Sequence, residues 1–369
     1  MAFILSNDEK EFRRTKIKYD LLSYGLLIII VLFLLGSTVL IFYEESEPLS
    51  TVLTKHNSQV SAIAFSHDGN YFVSGDKSGI IILWDMETRK SIKNFRVIGE
   101  ILSLDFSPDG ELLGSGSTEE ASVWKLPEGT GIFGYSGDGI YHSIKFSPDS
   151  KIMAISSLSI NGVYDGIKLF QTQEWTLIDA NFLGHQDSIS NPESIFEIAF
   201  SPDQSLLVSC SGSDQNRNNN SEIIIWDTDN WVYKTLLDGH IGSVFDINFN
   251  NNGDSLISAG EDGKIIVWDL STGKMTGQIN TSQNILDWTT FAVYSPDNRL
   301  IASNRGYFKG STPISTNSID IWDAKTLTLL TTLIGHENWV SDVGFSKEGN
   351  TLISASWDKT IRFWNLTGI

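Results

Sequence analysis

The chain has 369 residues, 41% of them hydrophobic and 11% aromatic, enough apolar material to bury a large core and too much for a disordered polymer. Its 26 basic residues against 45 acidic ones leave a net charge of -19, which repels phosphate backbones and argues against nucleic acid as a partner. The single cysteine, Cys210, rules out an intramolecular disulfide and a cysteine-built metal site.

The first element is predicted at the N-terminus. Residues 21–43 read LLSYGLLIIIVLFLLGSTVLIFY without a charge, and at ~1.5 Å rise per residue a helix of that length crosses a hydrocarbon core of about 30 Å. Tyr24 and Tyr43 fall where the two interfaces would lie. Lys10, Arg13, Arg14, Lys16 and Lys18 precede the span, while no Lys or Arg follows it until Lys55. The positive-inside rule therefore expects a single-pass membrane protein with residues 1–20 cytoplasmic and the rest exported; a signal peptide cleaved near LGS at 35–37 is the rival, against which the apolar run is longer than the usual length of about 7–15 residues. Residues 44–50 are read as a short linker.

From residue 51 onward the sequence repeats two signals. An apolar stretch running into a turn occurs seven times: FSHDG (65–69), FSPDG (106–110), FSPDS (146–150), FSPDQ (200–204), FNNNG (249–253), YSPDN (294–298) and FSKEG (345–349). Each is followed by a β-branched run ending in Trp-Asp or a relative: IIILWD at 80–85, ASVWK at 121–125, IKLFQ at 167–171, IIIWD at 223–227, IIVWD at 265–269, IDIWD at 319–323 and IRFWN at 361–365. Alternating apolar residues between Pro-Asp-Gly turns make short antiparallel strands. Four such strands form a small sheet that buries its faces only by stacking on neighbours. The last repeat ends just after its third strand, and TVLTKH at 51–56 is expected to supply the fourth, with residues 51–55 pairing with 361–366 and removing an open sheet edge.

These paired signals, with Gly-His at 184–185, 239–240 and 335–336, resemble the WD40 family. The resemblance implies an all-β, seven-bladed propeller over 51–369. It also implies a side-chain network in each blade: His240, Ser258, Asp262 and Trp268 in the fifth repeat, and His336, Ser354, Asp358 and Trp364 in the seventh. The first repeat keeps His56, Ser74 and Trp84 but has Ser78 where the Asp belongs, and the third has Phe170 in place of Trp.

Catalysis finds little support. Four of the six histidines, His56, His185, His240 and His336, occupy the repeat's own structural position, and no Gly-rich segment carries a phosphate-loop context. The segment 213–222 holds carboxylates and amides but lacks calcium-loop spacing and contains Arg217. No catalytic residue, metal or cofactor is therefore assigned.

Insertions point to a binding face. From the turn Ser or Asn to the Trp position there are 18 residues in the first, fifth and seventh repeats (66 to 84, 250 to 268, 346 to 364) but 23, 25 and 27 in the third, fourth and sixth (147 to 170, 201 to 226, 295 to 322). The fourth repeat also takes 16 residues from His185 to Ser201, against 10 from His240 to Asn250. All four insertions belong to connections that emerge at one end of an antiparallel blade. Trp288, Trp339, Arg305, Tyr307 and Phe308 are the candidate partner contacts there, since aromatics and Arg anchor protein interfaces. The reading is a membrane-anchored, non-catalytic scaffold for protein or peptide partners, held to lipid through 21–43, with the long loops facing away from the bilayer. The alternatives are a propeller enzyme using the central channel and a glycan-binding envelope module.

Overall fold

The computed structural model describes residues 51–369 apart from 138, 160–165, 179, 181, 183–184, 186–193, 213–221, 282–287, 305–307, 310–311 and 314–316, together with the backbone of Leu27–Leu34 and Ser37–Glu44. The chain divides into two units at Ser50 and Thr51.

In the first unit the described part of the expected helix forms something else. Leu27–Leu34 pairs antiparallel with Ser37–Glu44, in register from Leu27↔Glu44 to Leu34↔Ser37. Among the described residues no helix is long and apolar enough to cross a membrane. Apolar length does not by itself choose a helix. The run is dense in Ile, Val and Phe, which favour extended backbone, and Gly36 stands between the two strands. The rest of the expected span and the basic segment 1–20 lie outside the described residues.

The second unit is a ring of seven four-stranded antiparallel sheets. Each blade begins with the strand nearest the axis: Val60–Phe65, Ile101–Phe106, Gly139–Phe146, Ser194–Phe200, Val244–Phe249, Ala292–Tyr294 and Val340–Phe345. The next three strands follow outward in chain order, except in the seventh blade. There the outer strand is Thr51–Leu53, with Thr51 opposite Phe363, Val52 opposite Arg362 and Leu53 opposite Ile361.

The core follows from the stacking. One apolar cluster fills each of the seven blade interfaces. The last and first blades meet through Ile353, Ala355, Ile361 and Phe363 packed on Val60, Phe72, Ile82 and Trp84. A sheet of mainly six-residue strands cannot shield both faces alone, so each blade depends on its two neighbours, and ring closure leaves none at an end.

The turns after the innermost strands share one geometry. The Ser hydroxyl donates to the Asp carboxylate at 2.6–2.7 Å in Ser107–Asp109, Ser147–Asp149, Ser201–Asp203 and Ser295–Asp297. The fifth turn residue is left-handed: Gly110 has φ 76°, and Ser150, Gln204 and Asn298 adopt 60°, 66° and 60° at a steric cost that Gly escapes. Each of these three side chains accepts a hydrogen bond from the main-chain N–H of the preceding blade's turn: Ser150 from Asp109 (3.1 Å), Gln204 from Asp149 (3.1 Å) and Asn298 from Asn251 (2.7 Å). Backbone strain is thus offset by an inter-blade tie.

Candidate functional site

Inside a blade, polar side chains link the strands. In the fifth, the Trp268 indole N–H donates to Ser258 Oγ at 2.8 Å, Ser258 Oγ lies 2.7 Å from His240 Nε2, and His240 Nδ1 lies 2.9 Å from Asp262 Oδ1. An indole N–H only donates, so the serine proton goes to His240 Nε2 and the His240 Nδ1 proton to Asp262. The seventh blade repeats this with Trp364–Ser354 (2.8 Å), Ser354–His336 (2.7 Å) and His336–Asp358 (2.8 Å). Although burial opposes ionisation, hydrogen bonds from the histidines hold Asp262 and Asp358 below the usual carboxylate range.

The first blade corrects the sequence reading. Its network is complete because Asp76, two residues before Ser78, reaches His56 Nδ1 at 2.7 Å, while Ser78 Oγ donates to Asp76 Oδ1 at 2.6 Å. In the fourth blade His185 and Trp226 share Ser209 Oγ at 2.6 and 2.8 Å. Burial lowers the His185 pKa to about 3, so the ring is neutral. Where Phe170 replaces Trp in the third blade, the partner serine is also replaced, by Ile155, and neither change strands a polar group. These groups are committed to structure.

The insertions fall between strands as expected from their lengths: after Ser159, Gly212 and Asn304 within the third, fourth and sixth blades, and ahead of Ser194 where the chain enters the fourth. All are connections at the end of the ring where the innermost strands start. Most of their residues, Arg305 and Tyr307 included, lie outside the described residues. Phe308–Lys309 pairs with Thr312–Pro313 in a small hairpin. Trp339 is only 7% exposed and packs against Trp357 with ring centres 6.3 Å apart, beneath the Lys77 ammonium, which sits 4.3 Å over the Trp357 ring. Its burial marks it as packing rather than contact surface. Trp288 is half-buried, its ring centre 5.3 Å from that of Phe245.

Phe245 leads to a feature the sequence reading missed. In six blades the pairing of the innermost strand with its neighbour slips just inside its first residues, between Val60 and Ala62, Ile101 and Ser103, Ile140 and Ser143, Ile195 and Glu197, Val244 and Asp246, and Val340 and Asp342. A bulge leaves a residue without a cross-strand partner and re-aims it. Here Ser61, Leu102, His142, Phe196, Phe245 and Ser341 thereby line the central channel next to residues that also face it. In the third to fifth blades the bulge residue is a ring. His142–Phe196, Phe196–Phe245 and Phe245–Trp288 have centres 5.3, 5.4 and 5.3 Å apart, an aromatic arc across four blades at the channel end that carries the insertions. The signal was legible as a ring four residues before the turn aromatic in HSIKF, FEIAF and FDINF.

Deeper in the channel, which encloses about 780 Å³, charged side chains converge, among the described residues Asp105, Glu197, Asp246, Asp342 and one cation, Lys145. Lys145 pairs with Glu197 at 3.1 Å, and Ser143 Oγ donates to the same oxygen at 2.7 Å. The other three each accept a main-chain N–H from the next blade: Asp105 from Phe146 (2.7 Å), Asp246 from Ala292 (2.9 Å) and Asp342 from Ile63 (2.9 Å). These bonds satisfy the free inner edge of the innermost strands and lace blade to blade. Burial pushes Asp105 up to about 6 and Asp342 up to about 7, and burial together with Glu197 raises Asp246. All three stay partly exposed to the channel, which moderates the cost. Among the described residues no cluster of His, Cys, Asp or Glu has a metal-holding arrangement.

The family model described as "WD domain, G-beta repeat" matches residues 46–85, 179–227, 231–269 and 327–365. These segments hold His56, His185, His240 and His336, the four histidines bound to a blade serine. Among curated proteins, Periodic tryptophan protein 2 of Saccharomyces cerevisiae is 24% identical over 88% of this chain and 35% of its own length. WD repeat-containing protein 1 of Gallus gallus is 22% identical over 90% of this chain and 59% of its own. Nuclear distribution protein PAC1 of Arthroderma otae is 30% identical over 50% of this chain and 41% of its own. The chain thus spans between about a third and three-fifths of the length of these relatives.

Proposed function

We propose that this seven-bladed propeller of WD40 repeats is a protein-interaction scaffold, and that partners dock on the face that carries the long connections and the aromatic arc. The arc is the observation that carries the reading. His142, Phe196 and Phe245 line the channel half-buried, each on a different blade, and half-buried Trp288 of the sixth blade continues the arc from Phe245, where a rigid framework fixes them and they stay open to a partner. Likeness to WD40 proteins supports recognition over catalysis, as does the commitment of three channel carboxylates, Asp105, Asp246 and Asp342, to main-chain N–H groups. Co-purification from native extracts tests the face: a Phe196→Ala, Phe245→Ala double variant loses partners that a turn-face Lys347→Ala variant keeps. Equal recovery with both variants refutes it.

The same reading includes a tether through 21–43, with residues 1–20 cytoplasmic and the propeller exported. Its support is the uncharged run and the basic flank before it. A lone hairpin leaves edge N–H and C=O groups unpaired, which a hydrocarbon core does not accept, so insertion requires the helical form. Alkaline extraction of membranes and protease protection of a C-terminal tag test this. Release into the soluble fraction removes the anchor, and digestion from the cytoplasmic side reverses the topology.

A further inference from the structure

Each blade ends at the rim in an outer strand with no strand beyond it among the described residues. Such an edge is a template for another strand unless charge, irregularity or brevity guards it. Most rim strands here are guarded. Ser91–Arg96 carries Lys93 and Arg96, Val232–Leu237 carries Lys234, and Lys274–Asn280 opens on Lys274. Thr130–Tyr135 is interrupted by Gly131 and Gly134, while Leu177–Ile178 and Thr51–Leu53 are two and three residues long. Leu329–Ile334 of the sixth blade reads LLTTLI and has none of these devices. The uncharged stretch extends from Thr326 to Gly335, and Leu329, Leu330 and Ile334 are 44%, 45% and 72% exposed. Six β-compatible residues without charge, Pro or Gly at an exposed edge are a pairing sequence.

We infer that this edge pairs antiparallel with the same edge of a second copy of the chain, joining two sixth blades into one continuous sheet about a two-fold axis near Thr331 and Thr332. Charge selects that occupant. At a net -19 two copies repel over most of their surface, and an uncharged edge is where they can approach. Exposed Lys325 stands before the strand and exposed Glu337 after it. Antiparallel pairing brings Lys325 of each copy to Glu337 of the other, whereas parallel pairing sets like charges side by side. Ile334 of one copy then falls beside Leu329 and Leu330 of the other, and main-chain groups that face water gain ladder partners. The bulge that leaves Leu330 without a partner on Ser318–Asp323 lies near one end, so Thr331–Ile334 is regular. The edge is on the rim, and the inference does not rest on the docking face. Its consequence for that face is geometric: antiparallel strands turn the two channel mouths in opposite directions, so a dimer bridges partners.

The test follows the full chain in a mild nonionic detergent by sedimentation velocity. An interface of this size is weak, so the chain is examined from about 1 to 200 µM. The apolar run 21–43 is the same in every variant, and differences among variants therefore report the edge. A monomer–dimer equilibrium is expected. Leu330→Lys gives this edge the charge that Lys234 supplies at the same bulge position of the fourth blade, and should raise the dimer dissociation constant about tenfold or more. Ile334→Lys, at the most exposed position of the strand, should do the same. Unchanged circular dichroism and melting verify the fold of each. Glu337→Lys should weaken the dimer about threefold, and adding Lys325→Glu to it should restore the original value. A chain that stays monomeric across the range overturns the proposal. So does a dimer that survives both Leu330→Lys and Ile334→Lys, which places the association elsewhere on the chain. Failure of the double exchange to restore pairing overturns the antiparallel arrangement.

Discussion

Ser258 and Ser115 occupy the same place in the second strand of their blades, and both are fully buried, yet they should respond oppositely to loss of the hydroxyl. Ser258 Oγ stands between the Trp268 indole N–H and His240 Nε2 at 2.8 and 2.7 Å. In the second blade Val97 stands where the histidine would be, and Ser115 Oγ has no hydrogen-bond partner among the described residues. Ser258→Ala strands two buried polar groups, each worth about 1–3 kcal/mol when left unsatisfied, for a total of about 3 kcal/mol. Ser115→Ala removes a hydroxyl whose desolvation was never compensated, so stability stays the same or rises by about 1 kcal/mol. Urea unfolding by fluorescence gives the midpoints. Because a ring of repeats need not unfold in one step, hydrogen exchange across residues 255–280 should show the loss concentrated in the fifth blade. Equal shifts for the two substitutions would refute the claim that the network, rather than the packing of serine, stabilises the blade.

Gln204→Gly relieves a left-handed φ of 66° but removes the acceptor for the Asp149 N–H. The two effects cancel to within about 1 kcal/mol, and a midpoint change of more than twice that refutes the compensation. Asp342 carries a pKa of about 7 in the folded chain against 3.8 unfolded, so the folded state binds more protons between those values and this group's contribution to stability falls as pH rises from about 4 to 7. Asp342→Asn keeps an acceptor for the Ile63 N–H and should gain about 2 kcal/mol at pH 8 while flattening that slope; an unchanged pH profile sinks the argument. His185 works the other way. Lowered to about 3, it costs stability as pH falls below 6.5, where the unfolded ring takes a proton, and His185→Gln should soften the loss between pH 6 and 4. Cys210 is fully buried and burial pushes its thiol up, so thiol reagents should label it only on unfolding; rapid labelling of the native chain contradicts the burial.

Much of this protein was legible in the sequence because its signals are local and repeated. Each Ser-Pro-Asp turn and each Trp at the end of a β-branched run depends on a few adjacent residues, and seven copies in phase leave little freedom of architecture. The position of Thr51–Leu53 on the seventh blade follows from the same counting, since one strand was missing at one end and spare at the other. Periodicity could not settle groups that meet only in space. Asp76 completes the first blade's network from outside the repeat's usual spacing, because what His56 requires is a carboxylate within hydrogen-bond reach. Trp339, just after a Gly-His, reads equally as an anchor or as packing, and only its burial against Trp357 distinguishes the two. The apolar run at 21–43 meets the length of a helix, but its described part pairs as strands, since hydrophobicity constrains burial more tightly than backbone form. The aromatic arc depended most on tertiary structure. Alternation along a strand would send Phe245 and Asp246 to opposite faces, and only the bulge, a property of two paired strands, turns both into a channel that exists once seven blades close.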